Sequence, residues 1–206
     1  MTRLALLADL DRCTGCQTCV VACKAQKRLA AGLSFVRLVQ VGPIGRFPEL
    51  TMYYLPVACQ QCARPACAAA CPEDALVAGT DGVVVVDAAK CTGCGDCVGA
   101  CPYGAVMLDH VGSPANGEEP AARGALARKC DLCAELRADG GQPACVAVCP
   151  GRALAVVDSD SEATDLTGAP TATRRQDAGS LTLKAAAGTE PAGRFVLTRQ
   201  PWRDEL

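Results

Sequence analysis

Short aliphatic runs bounded by turn residues recur along the first 158 residues of the chain. Runs of this length, rich in Val and Leu and closed by Gly, Pro or Asp, are typical of short β-strands. Between two of them, the sequence GTDG at residues 79–82 predicts the turn of a β-hairpin. We predict strands at residues 4–10, 75–78, 83–87, 105–109 and 153–158.

Short helical segments are predicted between these strands. Two of them cover residues 17–28 and 96–100. A third, AELRA, lies within residues 134–144 and is followed by Gly140 and Gly141, which are typical of a helix end. We predict a fold of the α+β class, built from these short strands and short helices.

Cysteine dominates the segments between strand and helix. The chain has 206 residues, of which 16 are Cys and only seven are aromatic (three Phe, three Tyr and one Trp). A chain with so few large apolar side chains usually needs disulfides or metal centres to stabilise its core. The four cysteine runs are CTGCQTCVVAC from residue 13, CQQCARPACAAACP from residue 59, CTGCGDCVGACP from residue 91 and CDLCAELRADGGQPACVAVCP from residue 130.

Disulfides are the first alternative, since sixteen is an even number. However, only the five apolar residues 4–8 precede Asp9, whereas the apolar region of a secretory signal needs about 7–15 residues. We therefore expect synthesis in the cytosol without a signal of the chain's own, where thiols stay reduced. No apolar stretch reaches the roughly 18 residues of a membrane span, so we expect none.

Three kinds of metal site remain. A Rieske-type centre is excluded, because it needs two His ligands and His110 is the only histidine. Zinc sites usually take two separated C-x₂-C pairs, whereas the first and third runs read C-x₂-C-x₂-C-x₃-C. That spacing is typical of bacterial ferredoxins, which bind [4Fe–4S] clusters. The small residues between the cysteines, such as Gly15 and Gly93, would let the backbone approach a cluster closely.

The fourth cysteine of each run has a separate role. In two-cluster ferredoxins it ligates the cluster that its own loop does not bind. Proline follows Cys71, Cys101 and Cys149, and it disfavours helix at the cysteine before it. Lys24 follows Cys23 instead, so the first run departs from this pattern.

The repeated unit predicts two ferredoxin modules. Strand, cysteine loop, short helix, Cys-Pro and strand form half a ferredoxin, and four such halves form two. The second and third runs are separated only by a hairpin and can exchange ligands locally, so the first and fourth must pair across them. We predict two bacterial-type dicluster modules, the inner inserted into the outer: an outer module at residues 1–50 and 111–158, an inner module at 51–110, and a polar extension at 159–206.

The sequence resembles the four-cluster electron-transfer subunits of molybdopterin oxidoreductases, of the dimethyl sulfoxide, polysulfide, thiosulfate, tetrathionate and sulfite reductase or dehydrogenase type. The resemblance covers about residues 1–158, and its most specific segments are CQQCARPACAAACPEDAL and KCDLCAELRADGGQPACVAVCPGRAL. It implies four [4Fe–4S] clusters with crossed ligands. The implied ligands are Cys13, Cys16, Cys19 and Cys149 (first set); Cys130, Cys133, Cys145 and Cys23 (second set); Cys59, Cys62, Cys67 and Cys101 (third set); and Cys91, Cys94, Cys97 and Cys71 (fourth set).

The resemblance also implies a function and partners. The chain would relay electrons between a molybdopterin-containing catalytic subunit and an integral-membrane, quinone-reactive anchor subunit. It would lie peripherally on the cytoplasmic membrane, with the membrane face left open. We expect no catalysis, since His110 and Ser113 have no partner pattern for acid–base or nucleophilic chemistry. Nucleic-acid binding is not expected either, because the basic residues are scattered and the net charge is −2.

Two alternatives stay open at this point. One is a soluble polyferredoxin, or a relay subunit of a hydrogenase or formate dehydrogenase, which neighbouring genes would distinguish. The other is a zinc-stabilised interaction module, which visible absorption would distinguish.

Two further features of the sequence each allow two interpretations. Arg128 and Lys129 precede Cys130 and either raise the potential of a nearby cluster or are simply solvated. The C-terminal extension either packs on the chain's own core or docks on the catalytic subunit through Phe195, Val196, Leu197 and Trp202. Because every cysteine lies before Pro150, deletion of residues 159–206 is expected to leave all four clusters intact.

Overall fold

The computed structural model describes residues 3–110, 124–160, 182–183 and 187–197. Short strands alternate with short helices in this part of the chain. Its elements are β1 (Leu4–Asp9), α1 (Thr18–Gln26), β2 (Arg37–Arg46), β3 (Glu49–Val57), α2 (Ala66–Ala69), β4 (Leu76–Ala78), β5 (Val84–Val86), α3 (Asp96–Ala100), β6 (Val106–Asp109), β7 (Leu126–Lys129), α4 (Ala134–Ala138), α5 (Ala144–Ala147), β8 (Leu154–Asp158) and β9 (Arg194–Val196).

All five predicted strands are present, as β1, β4, β5, β6 and β8. The predicted hairpin joins β4 to β5, which pair antiparallel. In its turn, the N–H of Gly79 donates to the carbonyl of Val83 at 2.9 Å, and the N–H of Gly82 donates to the carbonyl of Gly79 at 3.0 Å. The three predicted helical segments are α1, α3 and α4.

Three strands before residue 158 were not predicted, namely β2, β3 and β7. The hairpin of β2 and β3 is mostly exposed in its first strand, and β2 contains Gly42, Pro43 and Gly45, which are strand-breaking residues. The four-residue strand β7 directly precedes the fourth cysteine run and contains Arg128 and Lys129. Neither segment shows a continuous aliphatic run, so a prediction that relies on such runs does not find them.

The largest sheet brings distant parts of the chain together. Its strand order is β8-β1-β9, with β8 antiparallel and β9 parallel to β1. Leu6 lies opposite Val156, and Ala8 lies opposite Phe195. β1 is buried along its whole length, as expected for the central strand of the sheet. Residues near both ends of the described chain therefore share one sheet.

Cysteines form a substantial part of the core. One buried cluster combines aliphatic residues of β1 and β8 with cysteines of the first, second and fourth runs. A smaller one surrounds Cys67, Cys91 and Cys97 together with Val84 and Val106. The chain has few large apolar side chains, and cysteine thus supplies part of its core. Among the described residues, no helix is long and apolar enough to cross a membrane.

The structure corrects the docking interpretation of the C-terminal residues. Phe195, Val196 and Leu197 are buried in the chain's own core, with 3%, 0% and 4% of their surface exposed. Strand pairing with β1 holds Phe195 and Val196 inside the sheet. The three buried side chains are therefore not available as anchors for another subunit. Trp202, the fourth expected anchor, lies outside the described residues.

Candidate iron–sulfur centres

Each cysteine run presents its third sulfur in the same way. Cys19, Cys67, Cys97 and Cys145 are each the second residue of a helix, α1, α2, α3 and α5 respectively. The N–H groups of a first helical turn have no partner within the helix and are available to an anionic sulfur. In the first three runs the loop before this helix carries the first two cysteines, whereas in the fourth run α4 lies between Cys133 and α5.

The Cys-Pro exits share one hydrogen-bond geometry. In each, the N–H of the residue four positions later donates to the cysteine sulfur. These bonds run from Ala75 to Cys71 at 3.3 Å, from Ala105 to Cys101 at 3.4 Å and from Ala153 to Cys149 at 3.2 Å. Each of these cysteines follows the end of a short helix, as the proline after it requires. Cys23 differs because Lys24 allows α1 to continue as far as Gln26.

Two glycines in the loops admit close approach of another segment. Gly15 has φ +73°, and a Cβ atom there would lie 2.7 Å from the ring of Tyr54 on β3. Gly93 has φ +75°, and a Cβ atom there would overlap the carbonyl oxygen of Ala125. Both the left-handed conformation and the close contact favour glycine at these positions.

The sixteen cysteines line four separate cavities. All sixteen are free thiols, and each cavity brings together the four cysteines of one set, three from one run and the last from another. The four are similar in size, each with about 280–360 Å³ of empty space that includes open solvent at its mouth. The cavities hold Cys13, Cys16, Cys19 and Cys149; Cys130, Cys133, Cys145 and Cys23; Cys59, Cys62, Cys67 and Cys101; and Cys91, Cys94, Cys97 and Cys71.

Burial makes several of the thiols hard to ionise. Burial, and then the charge of Cys133, raises the pKa of Cys23 to about 12. Burial, and then the charge of Cys59, raises the pKa of Cys67 to about 11. Iron ligands must be thiolates, so a cationic core would have to displace these protons and offset the buried negative charge. Cys16 is the opposite case, because hydrogen bonds from Thr18 lower its pKa.

The donor set fits a [4Fe–4S] cluster. Four soft thiolate ligands are the set that such clusters take, and each cavity offers four. Among the residues that the structure describes, no group of three or more His, Cys, Asp or Glu side chains is arranged to hold a single metal ion. The cysteine sets instead surround a space.

Sulfurs of different sets lie close enough to influence each other. Burial raises the pKa of Cys145, and the charge of Cys19, from the first set, adds to the rise. Burial likewise raises the pKa of Cys130, followed by the charge of Cys59 from the third set. The first set therefore neighbours the second, and the second neighbours the third. Cys67 of the third set and Cys97 of the fourth share one buried cluster.

An ion-pair network around the buried Lys27 supports the fourth run. Lys27 Nζ, at the end of α1, lies 2.9 Å from Asp131 Oδ2 and 2.7 Å from Glu135 Oε1. Burial acts to lower the pKa of Lys27, but hydrogen bonds to the two carboxylates outweigh it and the pKa is raised. Burial acts to raise the pKa of Asp131, but Lys27 outweighs it and the pKa is lowered. The network joins the first run to the insertion in the fourth.

The remaining predicted residues fall into three groups. His110 is exposed at the end of β6 and lines none of the four cysteine cavities. Lys129 is buried, so it is not simply solvated. Arg128 Nη1 lies 3.9 Å from Asp109 Oδ2. Ser113 lies outside the described residues.

Sequence reasoning missed the polar residues around the third set. Tyr103 and Thr189 are buried and line its cavity, and Gln61 is fully buried beside it. Nothing in the sequence around Thr189 indicates this role, because it lies 88 residues beyond Cys101. Tyr103 has a local signal only in that it follows Cys101 and Pro102.

Comparisons with known proteins agree with this geometry. Residues 50–159 match the family described as "4Fe-4S dicluster domain", and residues 5–25 match "4Fe-4S binding domain". The sequence is 38% identical over 161 residues to one chain of the anaerobic dimethyl sulfoxide reductase of Escherichia coli, covering 74% of this protein and 72% of that one. It is 38% identical over 151 residues to the thiosulfate reductase electron transfer subunit of Salmonella typhi, covering 72% of each.

A third relative is matched over more of the chain. One subunit of the selenate reductase of Mesobacillus selenatarsenatis is 31% identical over 210 residues, covering 90% of this chain and 69% of that one. The two family matches together include all four cysteine runs of the geometry described above. The chain belongs to the family of iron–sulfur electron-transfer subunits of dimethyl sulfoxide reductase-type molybdopterin oxidoreductases.

Proposed function

We propose that this chain relays single electrons through four [4Fe–4S] clusters, one in each cysteine cavity. The observation that carries the proposal is the crossing: every cavity is lined by three cysteines of one run and one cysteine of another. Bound clusters of this kind supply one-electron oxidation and reduction. With all four thiolates of a set engaged, no iron is left open for substrate, so catalysis belongs to another subunit.

The chain's own residues hold and tune these sites. Nine of the sixteen cysteines are buried, which keeps water from most of the ligand sulfurs. Backbone N–H groups donate to the sulfurs of Cys71, Cys101, Cys130 and Cys149. Hydrogen bonds to ligand sulfurs offset negative charge and therefore favour the reduced state of a cluster. The protein thus sets the potential at each site through burial and hydrogen bonding.

The order of the sets supports a linear path. The first neighbours the second through Cys19 and Cys145, and the second neighbours the third through Cys130 and Cys59. The third and fourth meet where α2 packs on α3. Only Cys16 and Cys94 are exposed, and they belong to the first and fourth sets. Electrons therefore enter and leave at these two sets, with the second and third enclosed between them.

The same contacts support the arrangement of two ferredoxin modules. The first and fourth runs, with β1 paired to β8 and α1 packed on α5, form the outer module at residues 1–50 and 111–158. The second and third runs, with β4 paired to β5 and α2 packed on α3, form the inner module at residues 51–110. Residues 159–206 are the extension, and part of it, β9, returns to the sheet of the outer module.

The partners follow from the relatives. Those compared above are named as parts of dimethyl sulfoxide, thiosulfate and selenate reductases. By analogy, this chain connects a molybdopterin-containing catalytic subunit to an integral-membrane, quinone-reactive subunit, and lies peripherally on the cytoplasmic membrane within that complex. The alternative partners, a hydrogenase or a formate dehydrogenase, have no observation in their favour.

Isolation of the complex from native membranes tests this function. Under anaerobic conditions, quinol should bleach the visible absorption of the clusters, and the oxidised substrate of the copurified catalytic subunit should restore it. Copurification with a hydrogenase large subunit would contradict the proposed partners. Zinc in place of iron would contradict the relay itself.

A further inference from the structure

Lys129, the last residue of β7, is a buried cation with an unusual set of neighbours. Only 6% of its surface is exposed. Its ammonium group donates to the carbonyl of Cys130 at 2.9 Å, to the carbonyl of Val84, and to Gln61 Oε1 at 3.5 Å. Among the described residues, no carboxylate lies within ion-pair distance of it. Its charge is therefore balanced by oxygen dipoles rather than by an acid.

The position of Lys129 relates it to two cysteine sets. Its side chain lines the cavity of the third set, and the next residue, Cys130, belongs to the second. Gln61, between Cys59 and Cys62 of the third set, also donates through Nε2 to the carbonyl of Cys130 at 3.0 Å. Through their hydrogen bonds to the carbonyl of Cys130, Lys129 and Gln61 link the second set to the third. This junction is also where the outer and inner modules meet.

Lys129 places a fixed cation at the wall of the third-set cavity. The consequence is an electrostatic attraction between this cation and negative charge in the cavity. It is strong in a buried site because the local dielectric constant is low.

We propose that Lys129 is a fixed positive charge that raises the reduction potential of the third-set cluster and so favours electron transfer from the second set across the module junction. This inference rests on the proposed relay function. An electron added to a four-thiolate cluster increases its negative charge, and a nearby cation stabilises that reduced state more than the oxidised one. Lys129 acts on the cluster without ligating it and is a positioning residue.

A second lysine in the chain provides a matched control. Lys90 precedes Cys91 just as Lys129 precedes Cys130, so both runs begin with Lys-Cys. Lys90 is exposed, and its charge is screened by water and salt. Removing either lysine changes the net charge of the chain by the same amount. Only Lys129 is expected to influence a potential strongly.

The test is a redox titration of the purified complex, followed by electron paramagnetic resonance. The third-set signal is first identified as the one altered in Cys62→Ser. In Lys129→Gln and Lys129→Met, the midpoint potential of that signal should fall by at least about 59 mV, which is a tenfold change in the ratio of reduced to oxidised cluster. Lys129→Arg, which keeps the charge, and Lys90→Met should each change the ratio less than threefold.

Each other result overturns the inference. A change below tenfold in the neutral variants shows that the charge does not set this potential, and an equal change in Lys129→Arg or Lys90→Met shows that the cause is not the buried charge. If both neutral variants lose the cluster while Lys129→Arg keeps it, Lys129 is needed for cluster assembly instead. Iron analysis of the unaltered protein tests the relay function separately, because that function predicts four clusters.

Discussion

The hydroxyl groups of Tyr103 and Thr189 lie 2.7 Å apart, and both side chains line the cavity of the third cysteine set. Tyr103 belongs to the exit of the third run, whereas Thr189 belongs to the C-terminal segment. The same segment bonds to the second run through the N–H groups of Ala63 and Arg64, and its Ala192 donates to the carbonyl of Gln60. The end of the described chain is therefore part of the environment of a proposed cluster.

Removal of the C-terminal segment should damage one cluster selectively. Deletion of residues 187–206 removes Thr189 and the strand β9, and opens the third-set cavity to water. We expect iron to fall by about a quarter, with loss of the third-set signal. This replaces the expectation, based on the positions of the cysteines alone, that deletion of the extension leaves all four clusters intact.

A shorter deletion serves as the control for this result. Deletion of residues 198–206 leaves Thr189 and β9 in place and should preserve full iron content. Full iron content after the longer deletion would show that the contacts of Thr189 and β9 are dispensable for cluster binding. Iron and acid-labile sulfide analysis, with electron paramagnetic resonance, measures both variants.

Iron content tests the proposed number of clusters. Anaerobically purified protein should contain about sixteen iron atoms and sixteen acid-labile sulfides per chain, because four cysteine sets would each bind a [4Fe–4S] cluster. Iron near half that value would leave only two clusters. Stoichiometric zinc would favour a structural role instead.

Substitution of Cys149 tests the crossed ligands. Cys149→Ser should perturb the cluster bound by the first run, because Cys149 shares a cavity with Cys13, Cys16 and Cys19. Electron paramagnetic resonance should show an altered first-set signal and an unchanged second-set signal. The matched comparison is Cys145→Ser, four residues earlier, which should affect the second set only. Loss of the second-set signal alone in Cys149→Ser would contradict the assignment.

The ion-pair network of the buried Lys27 should contribute measurably to stability. Lys27→Met leaves Asp131 and Glu135 without their cation, and we expect a cost of about 1–3 kcal/mol. Arg64→Met is the control, because Arg64 and Glu190 also form an ion pair at 2.9 Å but are 67% and 55% exposed. Exposed pairs contribute about 0–1 kcal/mol. The apparent melting temperature under anaerobic conditions should therefore fall clearly in Lys27→Met and little in Arg64→Met; equal falls would contradict this account.

Local features of the chain were predictable because they depend on neighbouring residues. Aliphatic runs between turn residues define β1, β4, β5, β6 and β8. Cysteine spacing and the proline after Cys71, Cys101 and Cys149 define where each short helix ends. The departure at Cys23 was likewise visible in the sequence, since Lys24 does not stop a helix. In each case the deciding interaction spans only a few residues.

The tertiary structure decided whatever depends on distant contacts. Lys90 and Lys129 have the same sequence context, yet only Lys129 is buried, because β5 and the loop of Gln61 pack over it. The sequence left open whether Phe195 packs on the chain's own core or docks on another subunit, and the structure places it opposite Ala8 in a sheet. Thr189 reaches the third set only because β9 returns to β1. Burial and cavity lining arise from residues far apart in the chain, and the spacing of motifs carries no information about them.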